Sequence, residues 1–105
     1  MSDTFKPTAK MASNAKKGLK LHKEFGRGGT DVGVNRAKQL SAQEDLSADD
    51  VTSMHSYFAR HKVDKDSKSH EWGLDTDPSA GYIAWLLWGG DEGKEWADNN
   101  AKKID

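Results

Sequence analysis

Lys16, Lys20 and Lys23 follow one another at intervals of four and three residues, the spacing that brings side chains onto one face of a helix. Lys10 and Lys17 flank that row. Arg27 and Arg36 come next, the first within the glycine-rich stretch Gly26-Arg27-Gly28-Gly29-Thr30 and the second after it. A row of cations neutralises successive phosphates of a nucleic acid, and each Lys or Arg so placed adds to the salt-dependent part of the affinity. Glycines at the entry to a helix leave backbone N–H groups uncovered for an anion. Arg60, in Tyr57-Phe58-Ala59-Arg60-His61, is a further outward cation among aromatics, a mixture common on nucleic-acid surfaces. The expected contact set is Lys16, Lys20, Lys23, Arg27, Gly28, Gly29, Arg36 and Arg60.

The charge balance has the same asymmetry. Sixteen Lys and Arg stand against seventeen Asp and Glu, for a net charge of −1. Nine of the basic residues lie in positions 1–40 with three acidic ones, while positions 41–105 hold seven basic and fourteen acidic residues. A basic segment followed by an acidic remainder suggests a polyanion-binding face.

Other chemistries find less support. Without cysteine there is no disulfide framework, thiol nucleophile or thiolate metal site. The glycines do not spell G-x-x-x-x-G-K-[ST], and no strand precedes them to make a dinucleotide fold. Asp64-Lys65-Asp66-Ser67-Lys68-Ser69-His70-Glu71 departs from a calcium loop at Lys68, where an oxygen ligand is needed, and at Ser69, where the turn needs glycine. A metal site from His61, Asp64 and His70, with hydrolysis at His61 and Asp64, is a residual reading whose geometry nothing in the spacing fixes. His55 projects inward on a helical wheel, and an interior histidine is more often structural than catalytic. No catalytic residue, cofactor or metal is therefore assigned. The longest apolar run, Ile83-Ala84-Trp85-Leu86-Leu87-Trp88, is far short of the ~20 residues of a membrane span. The first residues lack the apolar stretch of a signal peptide. A soluble protein of a reducing compartment is expected.

The elements that position these groups read as helices. Residues 1–7 look like a flexible lead-in, and 8–105 like one domain. A first helix spans about 8–25, with Pro7 at its first turn and Gly26 ending it in the left-handed conformation. Met11, Ala15, Gly18, Leu21, His22 and Phe25 face inward. A second helix at about 31–41 starts from Thr30 or Asp31 and turns Val34, Ala37 and Leu40 inward. Ser47 and Asp50 make a capping box, with Leu46 and Val51 in the staple positions, for a third helix at about 48–62. Its inward positions are Val51, Met54, His55, Phe58 and Lys62, with Tyr57 and His61 on the flank. A long polar loop at 63–77, anchored by Trp72, leads to a fourth helix capped by Asp77 or Ser79, with Pro78 early in it and Gly89-Gly90 ending it. Asp91 caps a fifth helix at about 92–103, with Trp96, Asn100 and Ile104 inward. Trp85, Trp88 and Trp96 form the corner between the last two helices, and one of these aromatics is left near the surface. The fold class is all-α, a bundle of five short helices.

Three ordered stretches carry a resemblance. They are Lys17-Gly18-Leu19-Lys20-Leu21…Phe25-Gly26-Arg27-Gly28-Gly29-Thr30…Gly33-Val34…Arg36-Ala37, Met54-His55-Ser56-Tyr57-Phe58-Ala59-Arg60-His61…Asp64-Lys65, and Pro78-Ser79-Ala80-Gly81-Tyr82-Ile83-Ala84-Trp85…Leu87-Trp88-Gly89-Gly90-Asp91…Gly93…Trp96-Ala97. Together they resemble a family of small helical domains of tailed bacteriophages, cyanophages among them, over roughly residues 7–98. Tyr82 departs from the pattern, standing where many relatives have a basic residue. The resemblance implies a viral protein in the cytoplasm of a bacterial host, and it carries no catalytic assignment.

The expected function is nucleic-acid binding, of DNA more than RNA, through the first helix, the glycine turn and the start of the second helix. The alternative is a module that binds a phage or host protein, or that oligomerises by pairing its basic and acidic halves.

Overall fold

The computed structural model describes residues 4–61, His61 by its backbone alone, and residues 79–104. These residues form an all-α bundle of five helices: α1 (Ala9–Phe25), α2 (Asp31–Ser41), α3 (Ala48–His61), α4 (Ala80–Leu87) and α5 (Gly90–Ala101). The expected loop at 63–77 with Trp72, the inward Lys62, the alternative cap Asp77, Pro78 and the His61–Asp64–His70 site lie outside the described residues or side chains.

Helix ends follow local chemistry. Thr8, in extended conformation, caps α1: its Oγ1 accepts from the Met11 amide at 3.2 Å, and the Thr8 amide donates to Met11 Sδ at 3.5 Å. Pro7 thus precedes the cap rather than occupying the first turn. Gly26 closes α1 at φ 61°, its amide donating to the His22 carbonyl. Thr30 caps α2 through the Gly33 amide. The Ser47–Asp50 box forms in both directions, Ser47 N–H to Asp50 Oδ2 at 3.0 Å and Asp50 N–H to Ser47 Oγ at 3.2 Å. Leu46 and Val51 are buried beside it. Ser79 caps α4 through the Tyr82 amide. At α5 the cap is Gly89, not Asp91: Gly89 sits at φ 111°, a conformation only glycine takes without strain, and Asp91 falls in the first turn.

α4 organises the core. Its sequence, Ala-Gly-Tyr-Ile-Ala-Trp-Leu-Leu, has no charged residue, and Tyr82, Ile83, Trp85, Leu86 and Leu87 are all buried. A helix apolar all round needs neighbours all round, and α1, α2, α3 and α5 all pack against it. α1 meets it backbone to backbone at Gly18, where an added Cβ would stand 2.7 Å from the Leu87 amide nitrogen. Gly33 of α2 similarly makes room for the Trp88 indole, 3.1 Å from the position of a Cβ. Below α4 lies an aromatic group: Tyr57 stacks on Trp88 (centroids 4.5 Å, planes 8° apart), and Phe58 meets Trp85 edge-on at 4.8 Å. Trp85 Nε1 donates to Asp91 at 2.9 Å, so its one polar atom is satisfied.

Four expectations change. Residues 5–7 are not a loose lead-in: Phe5 and Leu46 exchange backbone hydrogen bonds at 2.9 Å, Trp96 Nε1 donates to the Lys6 carbonyl, and Pro7 is fully buried. His55 is exposed, held at 2.7 Å from Asp98 of α5 rather than inside the core. Tyr57, assigned to a flank, takes the inward place instead. In α5 the small residues Gly93 and Ala97 face inward, with Gly93 against Phe58 and the Trp88 carbonyl. Trp96 is therefore the tryptophan left half-buried, while Trp85, Leu86 and Trp88 are all enclosed.

Two consequences can be measured. In an exposed helix Gly→Ala gains about 1 kcal/mol, but at Gly18 the methyl meets backbone, and overpacking costs about 1–3 kcal/mol. Gly18→Ala is expected to lower the melting temperature, and an unchanged or higher value would refute the close approach. The second concerns pH. Burial raises Asp50, but the Ser47 amide and then Arg36 outweigh it, leaving its pKa below the ordinary 3.8. Asp98 is likewise raised by burial and more strongly lowered by Lys94 and His55. Both carboxyls bind protons more weakly folded than unfolded, so their contribution is intact above about pH 5 and is lost as pH falls through 3.8 and below. Urea titrations from pH 7 to pH 3 should show that loss, reduced in Asp98→Asn.

Candidate nucleic-acid interface

α1 is capped at Thr8, closed at Gly26, and buries Met11, Ala12, Ala15, Gly18 and Leu21. With that face committed to α2 and α4, Lys16, Lys20 and Lys23 emerge opposite it, all exposed as the spacing predicted. At 1.5 Å per residue, Lys16 and Lys23 are about 10 Å apart along the axis. None of the three enters the ion pairs formed among the described residues. Lys17 lies to one side, with its ammonium 5.8 Å from the Tyr82 ring. Glu24 is the only carboxylate in α1.

The glycine turn continues from this face and is held firmly. His22 Nδ1–H donates to the Gly28 carbonyl at 2.6 Å, with the Arg27 carbonyl at 3.2 Å, which ties the turn back to the last turn of α1. Gly28 and Gly29 sit at φ 81° and 77°. A Cβ at Gly28 would meet Ile83 and the Ala80 carbonyl, and one at Gly29 would meet Leu87. These glycines are first of all a fit of the turn against α4. Arg27 is half-buried, its guanidinium 5.8 Å from the Phe25 ring.

Arg36 does not belong to the exposed set. It is only 9 % exposed. One guanidinium nitrogen, Nη1, lies 3.1 Å from Asp50 and 2.8 Å from Gln39 Oε1, and the group sits 5.7 Å from the Trp88 ring. Asp50 thus caps α3 with one oxygen and binds Arg36 of α2 with the other. A charge buried this way holds two helices together, and stripping it from Asp50 for a phosphate would leave a carboxylate unpaired. Arg60 is exposed, as expected, but on α3 rather than on the lysine face.

Arg60 instead borders a cavity of about 520 Å³ between the glycine turn, α3 and α4. Gly29, Thr30 and Val32 line one side, Ser53, Tyr57 and Arg60 another, and Ala80, Gly81, Ala84 and Trp88 the third. Of these, only Gly29 and Arg60 belong to the expected contact set. Val32 had a signal: it is an apolar residue off the inward face of α2, and at 61 % exposure it is the one large hydrophobic exposed among the described residues. No group of three His, Asp or Glu among the described residues converges to hold a metal, and no described helix is long and apolar enough to cross a membrane.

Comparison with protein-family models, curated proteins and solved structures returned no match to this chain.

Arg36→Gln removes a charge-assisted hydrogen bond and leaves Asp50 without its cation, so it should lower unfolding free energy by roughly 1–3 kcal/mol. Because Arg36 faces inward, polyanion affinity measured at a temperature where the variant is folded should not change. A loss of affinity without a loss of stability would return Arg36 to the contact set.

Proposed function

We propose that the chain is a non-enzymatic nucleic-acid-binding protein whose contact surface is the outer face of α1. The observation that carries this reading is that Lys16, Lys20 and Lys23 are exposed and enter none of the ion pairs among the described residues. Four carboxylates on other helices are engaged in the fold itself. Asp50 holds Arg36 and the α3 cap, Asp91 accepts from Trp85, Glu92 accepts from Asn14 at 2.6 Å, and Asp98 holds His55 and Lys94. What remains outward on α1 is a lysine row with one exposed carboxylate, Glu24, beside it, a net positive face that attracts a phosphate backbone and steers its approach. Phosphate contacts position a strand without reading its sequence, so sequence preference is weak. Under the resemblance to tailed-phage domains, the strand is phage or host DNA.

A second reading has its own observation. Glu44, Asp45 and Asp49 are exposed together around the start of α3, and this acidic patch would pair with the lysine row of another copy. Light scattering separates the two, since self-association by such pairing weakens as salt rises.

The test is titration of DNA at about 50 and 200 mM salt. Affinity should fall steeply between the two, and Lys16→Glu with Lys20→Glu should abolish binding at the lower concentration while leaving the melting temperature close to the parent's. Binding that survives the double substitution would remove α1 as the interface.

A further inference from the structure

The cavity between the glycine turn, α3 and α4 has Val32 in one wall, the large hydrophobic that stands 61 % exposed. A single exposed valine is ordinary on a protein surface. This one lines a recess whose α4 wall is Ala80, Gly81 and Ala84, so its neighbours across the space are small and apolar as well. The two aromatics of the lining offer edges only, because Tyr57 and Trp88 are buried and stacked on each other. Such an interior suits a flexible aliphatic body rather than a flat ring. Charge enters the lining once, at Arg60. Ser53, Tyr57 and Arg60 follow at intervals of four and three and share one stripe of α3. Ser53 and Arg60 are about 10 Å apart along the axis, so the wall extends well beyond the arginine. Arg60 is exposed and enters none of the ion pairs formed among the described residues. No carboxylate lines the recess to neutralise it.

We infer that the cavity binds a small aliphatic carboxylate, its charged end on Arg60 and its hydrocarbon body between Val32 and the α4 wall. A guanidinium presents paired N–H donors that match the two oxygens of a carboxylate. The body gains affinity as its methylenes leave water, by roughly fourfold for each one fully buried. At about 520 Å³ the space is of small-ligand size. Among the described residues no strand edge borders it to pair with the backbone of a peptide, which favours a free acid over a chain terminus. The lysines of α1 lie opposite the face that packs on α4 and do not line the recess. This site therefore stands apart from the nucleic-acid surface.

The experiment titrates the full chain with octanoate, octanol and acetate by calorimetry, and follows amide NMR shifts to locate the ligand. Octanoate should bind at least about tenfold more tightly than octanol, and far more tightly than acetate, which has the charge without the body. Shifts should be concentrated at Gly29, Ser53, Gly81 and Ala84. Arg60→Gln, at an exposed position, should bring octanoate to the level of octanol without moving the melting temperature, and Arg60→Lys should restore part of the difference. Val32→Asp places a carboxylate in the apolar wall and should weaken both ligands. Lys16→Glu with Lys20→Glu should leave octanoate affinity unchanged. Equal affinity for octanoate and octanol, octanoate binding that survives Arg60→Gln, or binding lost with the lysine pair overturns the site. So does a leucine-terminated peptide that binds more tightly than octanoate, or the absence of octanoate binding at millimolar concentration. The DNA titration is read separately, so failure here leaves the lysine reading standing.

Discussion

The structure depends on how closely backbones can approach α4. That helix has no charged residue and buries five of its eight side chains, so it is stable only where other elements exclude water from every side. Large side chains cannot do this on all sides of so short a helix. Gly18 from α1, Gly28 and Gly29 from the turn and Gly33 from α2 therefore bring main chain against Ile83, Leu86, Leu87 and Trp88. Dispersion contacts form at these distances, and a single added methyl removes them. A sequence only about one-third apolar builds its core by letting a few large side chains touch bare backbone.

Charge is sorted by the same packing. α1 spends one face on α2 and α4, and its lysines have no place except outside. α5 lies over α3 and directs its carboxylates to local partners: Asp98 to His55 and Lys94, Asp91 to the Trp85 indole, Glu92 to Asn14. A near-neutral chain thus presents a basic α1 face because all but one of the carboxylates on its helices lie on elements other than α1, and four of them brace the fold. The balance of whole-chain charge says little here, and the side on which each charge is used says more.

Much of this was legible in the sequence. Helix bounds rest on local rules, and Thr30, the Ser47–Asp50 box, Gly26 and Ser79 each act within three or four residues of themselves. The lysine row needed only the helical period. Contacts between distant elements were harder to read. Arg36 reads as a surface cation from its place after the lysine row and the glycine turn, although it lies only about 40° from Leu40 on the wheel of α2. What decided its position was Asp50, fourteen residues away and already assigned to a cap. His55 was placed inside by its wheel position, but its partner Asp98 sits on α5, and the aromatic Tyr57 fills the space more favourably. In α5 the large Trp96 looked like the natural inward residue. Phe58 and the Trp88 carbonyl leave room there only for Gly93, and no local signal reports a neighbour's bulk. The strap of residues 5–7 rests wholly on partners about forty and ninety residues away.

The glycine seam also bears on how such a chain diverges over evolutionary time. In most small domains the slowly changing positions are large apolar residues, which can trade volume with one another while the fold persists. Here Ile83, Leu86 and Leu87 can exchange among aliphatics, whereas Gly18, Gly28, Gly29, Gly33 and Gly93 have no substitute of equal size. Drift would erase the hydrophobic pattern by which distant kinship is usually detected and spare the spacing of the smallest residues. Ancestry in this fold is recorded in its gaps.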